Sequence, residues 1–287
     1  MGNLKEIKNR MKSVESIRQI TKAMKMVASS RIHKVEQLYK ARKPYTEQLN
    51  KIMSNIMGST QEFSHPLTQE REEIDAIGLL VITGDKGLCG AYNNSIIKSA
   101  DRMRRKFEND GLKVVNYLVG SKVIKHFDRR GLENLMSIPF WNPDDEFAEK
   151  IFKKISADFL SGVFDILYII SANAKSRSSY TIEEKQFLPF VSDIKSSGES
   201  EFLFEPSVET AVSLIVPLIL KQKLATTLVG SRYTEYAARI IAMTNATENA
   251  ESLAEELRLK YFRARQAAIT TEILEVSSAA VQMEKQK

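Results

Sequence analysis

The sequence predicts an α/β protein carrying a long antiparallel coiled coil, with N- and C-terminal helices paired around a central, mainly parallel, Rossmann-like α/β domain. Three observations predict it. Residues 1–57 hold one proline (Pro44) and one glycine (Gly2), and the stretch from Ser207 to about Met283 holds only Pro217 and Gly230. Apolar residues at both ends recur in steps of three and four, the period of a helix stripe. Between the ends, short β-branched runs alternate with amphipathic stretches, the pattern of strands and helices in a parallel sheet. The expected boundaries are a helix over 1–57, a linker over 58–75, the α/β domain over 76–195, a linker over 196–206 and a helix over 207–287.

The N-terminal stripe runs through Leu4, Ile7, Met11, Val14, Ile17, Ile20, Met24 and Val27, then, after a slip of phase, Ile32, Val35, Tyr45, Leu49, Ile52 and Ile56. The three-residue steps from Val14 to Ile20 read as a stammer, which overwinds a helix pair. At 1.5 Å per residue such a helix is about 85 Å long. In the middle region, Ala76–Thr83 reads as a strand, 93–108 as a helix, 113–119 as a strand and 122–129 as a short helix. The motif "NPDD" opens a helix over 146–160, with Asp144 or Asp145 as its cap. A buried strand is expected over 164–172, and an edge strand over 181–190 ended by Pro189. The C-terminal stripe passes through Val212, Ile215, Leu218, Leu224, Leu228, Ile240, Met243, Leu253, Leu257, Tyr261, Ala264, Ile269, Ile273 and Val276, with Pro217 expected to kink or interrupt it. Each long helix has one narrow apolar face, so neither is stable alone and the two are expected to pair.

Composition narrows the class. No apolar run approaches the roughly 18 residues of a membrane span, the longest candidate, "AVSLIVPLIL", being ten residues and containing Pro217. The N-terminus lacks a secretory apolar core. Cys89 is the single cysteine, which excludes an intrachain disulfide framework and fits a reducing, cytosol-facing compartment. Residues 1–57 carry thirteen Lys/Arg against four Glu, a local +9 in a chain of net +6. Such a segment points to an acidic partner.

The stretch "GDKGLCG" (84–90) follows a strand and precedes a helix, as a phosphate-binding loop does. Its glycines, three apart, match neither G-x-G-x-x-G nor G-x-x-x-x-G-K-[ST], so it reads as a strand-to-helix turn. His33, His65 and His126 lack metal-ligand spacing, Cys89 has no neighbouring base, and no carboxylate pair stands out. A convincing active site, cofactor site or metal site is absent. Nucleic-acid binding through the basic N-terminal helix is disfavoured, because few aromatics interleave with its cations. A nucleotide-binding α/β enzyme with a coiled-coil appendage stays as the alternative.

The segments "IRQITKAMKMVASSR", "GDKGLCGAYN", "AARIIAMTNATENAESL" and "ARQAAITTEI" together resemble the gamma subunits of F-type ATP synthases, over essentially the whole chain. The resemblance implies a non-catalytic rotor shaft that couples ion-driven rotation to catalytic sites on surrounding β subunits. It implies no cofactor, and as partners the α and β subunits, the epsilon subunit and the membrane c-ring. Arg265 and Gln266 fall where that family hydrogen-bonds a β-subunit loop, with Thr270 and Glu272 at further contact positions. Met24 falls near an acidic β-subunit lever, with Lys25 beside it. Phe202, Phe204 and Glu205 are candidates for the c-ring contact. The resemblance also implies a bacterial chain placed peripherally on the cytoplasmic face of a membrane, since the chloroplast regulatory insert is missing. Phe262, Ser277 and Ala279 depart from the family's usual residues near the end of the shaft.

Overall fold

The computed structural model describes residues 2–59, 65–176, 179–190 and 208–284. Ten elements follow in order: α1 (Gly2–Ser59), β1 (Ala76–Ile82), α2 (Tyr92–Asn109), β2 (Lys113–Val119), α3 (Ser121–Asp128), β3 (Met136–Ile138), α4 (Asp145–Leu160), β4 (Ile166–Ala174), β5 (Tyr180–Leu188) and α5 (Val208–Glu284). The chain's contacts divide it into two units, and the division falls inside the two long helices. One unit comprises 1–27 with 240–287, the other 28–239.

The larger unit is built on a five-stranded sheet of order β3-β2-β1-β4-β5. β1 pairs in parallel with β2 and β4, and β2 with β3, while β5 closes the edge antiparallel to β4. All seven residues of β1 are buried, because the sheet is covered on both faces. That is why "AIGLLVI" is apolar throughout instead of alternating. Leu80, Ile82, Val115, Tyr117 and Val119 face a cluster shared with Ile151, Ile155 and Phe159 of α4 and with Val216, Leu220, Leu224 and Leu228 of α5. Ile77, Leu79 and Val81 point the other way, onto Ile96, Ala100 and Met103 of α2 and Val123 and Phe127 of α3. Asp144 caps α4 as "NPDD" predicts, its carboxylate accepting the Phe147 N–H at 2.8 Å. Asp165 joins the starts of two neighbouring strands. It accepts the N–H groups of Asp75 and Ala76 at 2.8 and 2.9 Å and pairs with Arg71 at 2.7 Å.

In this unit α1 and α5 run antiparallel. Thr46 and Thr226 share a hydroxyl hydrogen bond of 2.8 Å, and Tyr39 stacks on Tyr233 with centroids 5.9 Å apart. Gly230 makes that stack possible, since a Cβ there would lie 3.1 Å from the Tyr39 ring.

The smaller unit is a pair of antiparallel helices. Val14 and Met11 pack with Ala250, Ala254 and Leu257. Farther along, Arg18 reaches Glu251 at 3.2 Å and Thr247 donates to Thr21 at 2.8 Å.

Three expectations are corrected. The inward positions of α1 follow an unbroken 3–4 alternation through Leu4, Ile7, Met11, Val14, Arg18, Thr21, Lys25, Ala28, Ile32 and Val35, all buried or half-buried. Neither the stammer nor the phase slip is present. Ile17, Ile20 and Val27 face solvent at 52–58% exposure, as do Tyr45 and Ile52 farther along, while polar residues occupy inward positions. Second, α5 runs uninterrupted through Pro217, whose missing N–H breaks one bond of the ladder in a helix that tertiary packing holds on both sides. Third, the strand β3 was not anticipated, being only three residues long, with Met136 and Ile138 half-buried and Ser137 exposed. One 18-residue window of α5 reaches a mean hydropathy of 1.5, so by length and composition alone this helix could span a membrane, although no uninterrupted apolar run does; 44% of that window is buried inside the folded chain.

Candidate functional site

The glycine loop after β1 is fastened to α5 by buried charge. Asp85 accepts the backbone N–H of Phe140 at 3.0 Å and of Ser121 at 3.3 Å, and pairs with Arg232 at 3.2 Å. Arg232 lies over the Trp141 ring, 4.0 Å from its centroid, and donates to the Trp141 carbonyl. Glu235, one turn on, is 2% exposed and bridges Arg232 at 2.7 Å and Arg239 at 2.6 Å. Arg239 reaches back to the Lys86 and Gly87 carbonyls at 3.4 Å. Burial alone would push the Arg232 guanidinium's pKa down, but Glu235 and Asp85 beside it more than offset this and hold it above its usual value.

This arrangement decides what the loop can do. A phosphate cradle presents free N–H groups around an open space. Here a Cβ on Gly84 would fall 2.7 Å from the Glu235 carboxyl carbon, so the loop closes on a buried anion instead. The Gly84 N–H is taken by Asn93 Oδ1 at 2.9 Å. Gly90, with φ +60°, permits the turn into α2. Cys89 is buried and accepts the Asn93 amide at 3.1 Å, and burial raises its thiol pKa, so it carries no reactive thiolate. Among the described residues, no three metal-capable side chains converge.

The other candidate residues lie on the surface of the smaller unit. Met24 and Lys25 are half-buried on α1, beside the Thr21–Thr247 crossing. Arg265, Gln266, Thr270 and Glu272 are exposed on α5. Among the described residues, Thr270 hydrogen-bonds only its own helix, at the Gln266 carbonyl, 3.0 Å away. Some 20 residues of α5, on the order of 30 Å, separate the two groups, so the fold does not bring them together. Apolar side chains accompany them: Ile17, Ile20 and Val27 on α1, and Phe262, Ile269, Ile273, Leu274 and Val276 on α5 are 44–71% exposed. Phe202, Phe204 and Glu205 lie outside the described residues.

The family described as ATP synthase matches residues 3–282. The ATP synthase gamma chain of Fusobacterium nucleatum is 32% identical over 98% of this chain and 99% of its own length. That of Cytophaga hutchinsonii is 35% identical, with 98% of each chain covered. This chain belongs to the ATP synthase gamma-chain family. Among solved structures, a chain of the mitochondrial ATP synthase of Euglena gracilis in rotational state 3 superposes with a TM-score of 0.72, covering 98% of this chain and 95% of that one at 19% identity. A chain of the rotor of the same organism's enzyme gives 0.68 at 18% identity, covering 93% and 99%. This chain thus shares their fold: long N- and C-terminal helices and a central, mostly parallel sheet.

Sequence reasoning did not find the quartet Asp85, Arg232, Glu235 and Arg239 that anchors the glycine loop. The available signal was the spacing Arg232, Glu235, Arg239, three and four apart in "SRYTEYAAR". It places the three on one helix face but says nothing of burial.

Proposed function

We propose that this chain is the central shaft of a proton-translocating F-type ATP synthase and is itself non-catalytic. ATP is made or split on surrounding β subunits, whose conformations the turning shaft sets. The observation that carries this reading is the outward apolar surface of the smaller unit. Ile269, Ile273, Leu274 and Val276 are 44–71% exposed on a helix stretch with no buried residue from Ile269 to Ala279. Such a surface belongs against a partner, and a collar of α and β subunits would cover it from all sides.

Within that reading, Arg265 and Gln266 hydrogen-bond a β-subunit loop, and Thr270 and Glu272 make further contacts on the next turn. Met24 and Lys25 meet an acidic β-subunit lever, to which the +9 N-terminal helix is electrostatically complementary. Phe202, Phe204 and Glu205 contact the c-ring, and the epsilon subunit completes the rotor on the cytoplasmic face of the membrane. The nucleotide-enzyme alternative loses its main support, because the glycine loop is closed by Glu235.

Reconstitution tests the proposal. The purified chain, added to an α–β hexamer lacking a shaft, is expected to incorporate as one copy and to stimulate ATP hydrolysis while hydrolysing nothing alone. Failure to assemble, with ATP binding by the isolated chain, would overturn it. Arg265→Ala and Gln266→Ala are each expected to lower complex turnover by roughly tenfold, the cost of one lost transition-dependent hydrogen bond, with the chain's own melting temperature unchanged.

A further inference from the structure

Away from the helix pair, the sequence from Lys98 to Arg130 carries ten Lys/Arg against four Asp/Glu, a net +6 that equals the charge of the whole chain. Helix α2 gathers much of it on one side. Lys98, Arg102, Arg105 and Lys106 are four, three and one residues apart, the spacing of a single helix face. With Arg130 they line a shallow cleft of about 610 Å³. The opposite face of α2 is held against the sheet by Ile96, Ile97, Ala100 and Met103, so the cations cannot turn inward.

The cleft is not neutralised from within. Among the described residues its one carboxylate is Asp101, which is buried and already engaged by His126 Nε2 at 2.9 Å and Arg130 Nη1 at 3.1 Å. That pairing holds Arg130 at the rim. Arg102 is answered by Glu184 of β5. Lys98, Arg105 and Lys106 have no ion pair among the described residues. Three like charges within nine residues of one helix repel each other, a cost that a bound polyanion removes.

The surroundings narrow the class of polyanion. No large apolar side chain between Lys98 and Arg130 is exposed, so the face lacks the apolar wedge with which interfacial helices enter a bilayer. It equally lacks the exposed aromatics on which unpaired bases stack. What it offers is a short row of Lys and Arg in a concavity, and guanidinium forks match carboxylates two bonds at a time. We propose that this face of α2 binds an acidic, Asp/Glu-rich peptide segment of a partner protein, with carboxylates seated between Lys98, Arg105, Lys106 and Arg130. The inference is independent of the shaft reading, since it concerns the larger unit's outer helix.

The test is fluorescence anisotropy of a labelled Glu-rich peptide titrated with the full-length chain. Lys98→Glu/Arg105→Glu/Lys106→Glu is expected to weaken binding at least about tenfold, as for loss of close charge pairs. The control Lys5→Glu/Lys8→Glu/Lys12→Glu, on the other basic helix, is expected to change it less than about twofold. A loss confined to the control variant, or equal in both, overturns the proposal. So does tighter binding of phosphatidylglycerol vesicles or duplex DNA than of the peptide at the α2 face. If the α2 variant loses its native melting transition, carbodiimide cross-linking on the unaltered chain decides. Peptide carboxylates joined to Lys98 and Lys106 support the proposal, and joined mainly to α1 lysines they refute it.

Discussion

Glu235 carries two guanidiniums in a space closed to water, and its removal would leave Arg232 with Asp85 alone and Arg239 without an answering charge among the described residues. Breaking a buried pair costs more than the pair contributes, on the order of 3–5 kcal/mol, because the surviving charge stays buried. Glu235→Gln is therefore expected to lower the unfolding free energy by about that amount in urea denaturation; a loss under 1 kcal/mol would show that water reaches the site. Asp165 gives a pH-dependent counterpart. Burial raises its carboxyl pKa, but the N–H groups of Ala76 and Asp75 and the Arg71 guanidinium outweigh this, and the net shift is below the ordinary 3.8. A carboxylate with a depressed folded pKa stabilises the fold above its unfolded pKa and loses that contribution as pH falls through the folded value. The stability gap between the wild type and Asp165→Asn is thus expected to be constant above about pH 5 and to shrink below pH 4. A gap that persists unchanged into strong acid would place the residue's role in packing alone. Asp144 was legible because a helix cap is a local bond between near neighbours. The Asp85–Arg232–Glu235–Arg239 set was not, because Asp85 lies far from the other three in sequence and a charged side chain carries no mark of burial.

At the scale of the element, the helix pairing was legible and its register was not. Counting apolar residues selected Ile17, Ile20 and Val27, while the fold turns Arg18, Thr21, Lys25 and Ala28 inward. The rule fails where an interface between helices is built from hydroxyls, small side chains and long stems whose heads reach solvent. Here Thr21 meets Thr247, and Arg18 meets Glu251. The strands were found within about two residues because β-branched runs between glycines are a local signal. β3 was missed because three residues carry no period. The corrected register has a direct consequence for stability. Ile20→Lys, at a position 58% exposed, is expected to change the isolated chain's stability by no more than about 0.5 kcal/mol. Leu257→Ala, in the cluster with Val14, is expected to cost about 2–4 kcal/mol. Helical circular dichroism during thermal melting separates the two, and a large loss on Ile20→Lys would restore the simpler stripe.

At the scale of the whole molecule, the end of α5 is a helix that, among the described residues, nothing else in this chain supports. Inward positions on α5 continue through Met243, Thr247, Ala250, Ala254, Leu257, Tyr261, Ala264 and Ala268, and from Ile269 to Ala279 every residue is exposed. A single helix of that length is marginal in water, and its local opening free energy lies near zero without tertiary contacts. Amide hydrogen exchange on the isolated chain is therefore expected to show protection falling steeply after Ala268, with Thr270, Ile273 and Val276 exchanging close to the unstructured rate. The shaft reading makes the second half of this prediction. When the α–β hexamer is added, those same amides are expected to slow by more than about tenfold, since a collar that buries Ile269, Ile273 and Val276 supplies the missing packing. The exposed turns of α2 should be unaffected by the hexamer, because they belong to the other unit. If α5 stays unprotected in an assembled, active complex, the apolar end of the helix is not where the shaft is gripped, and the contacts assigned to Arg265 and Gln266 fall with it.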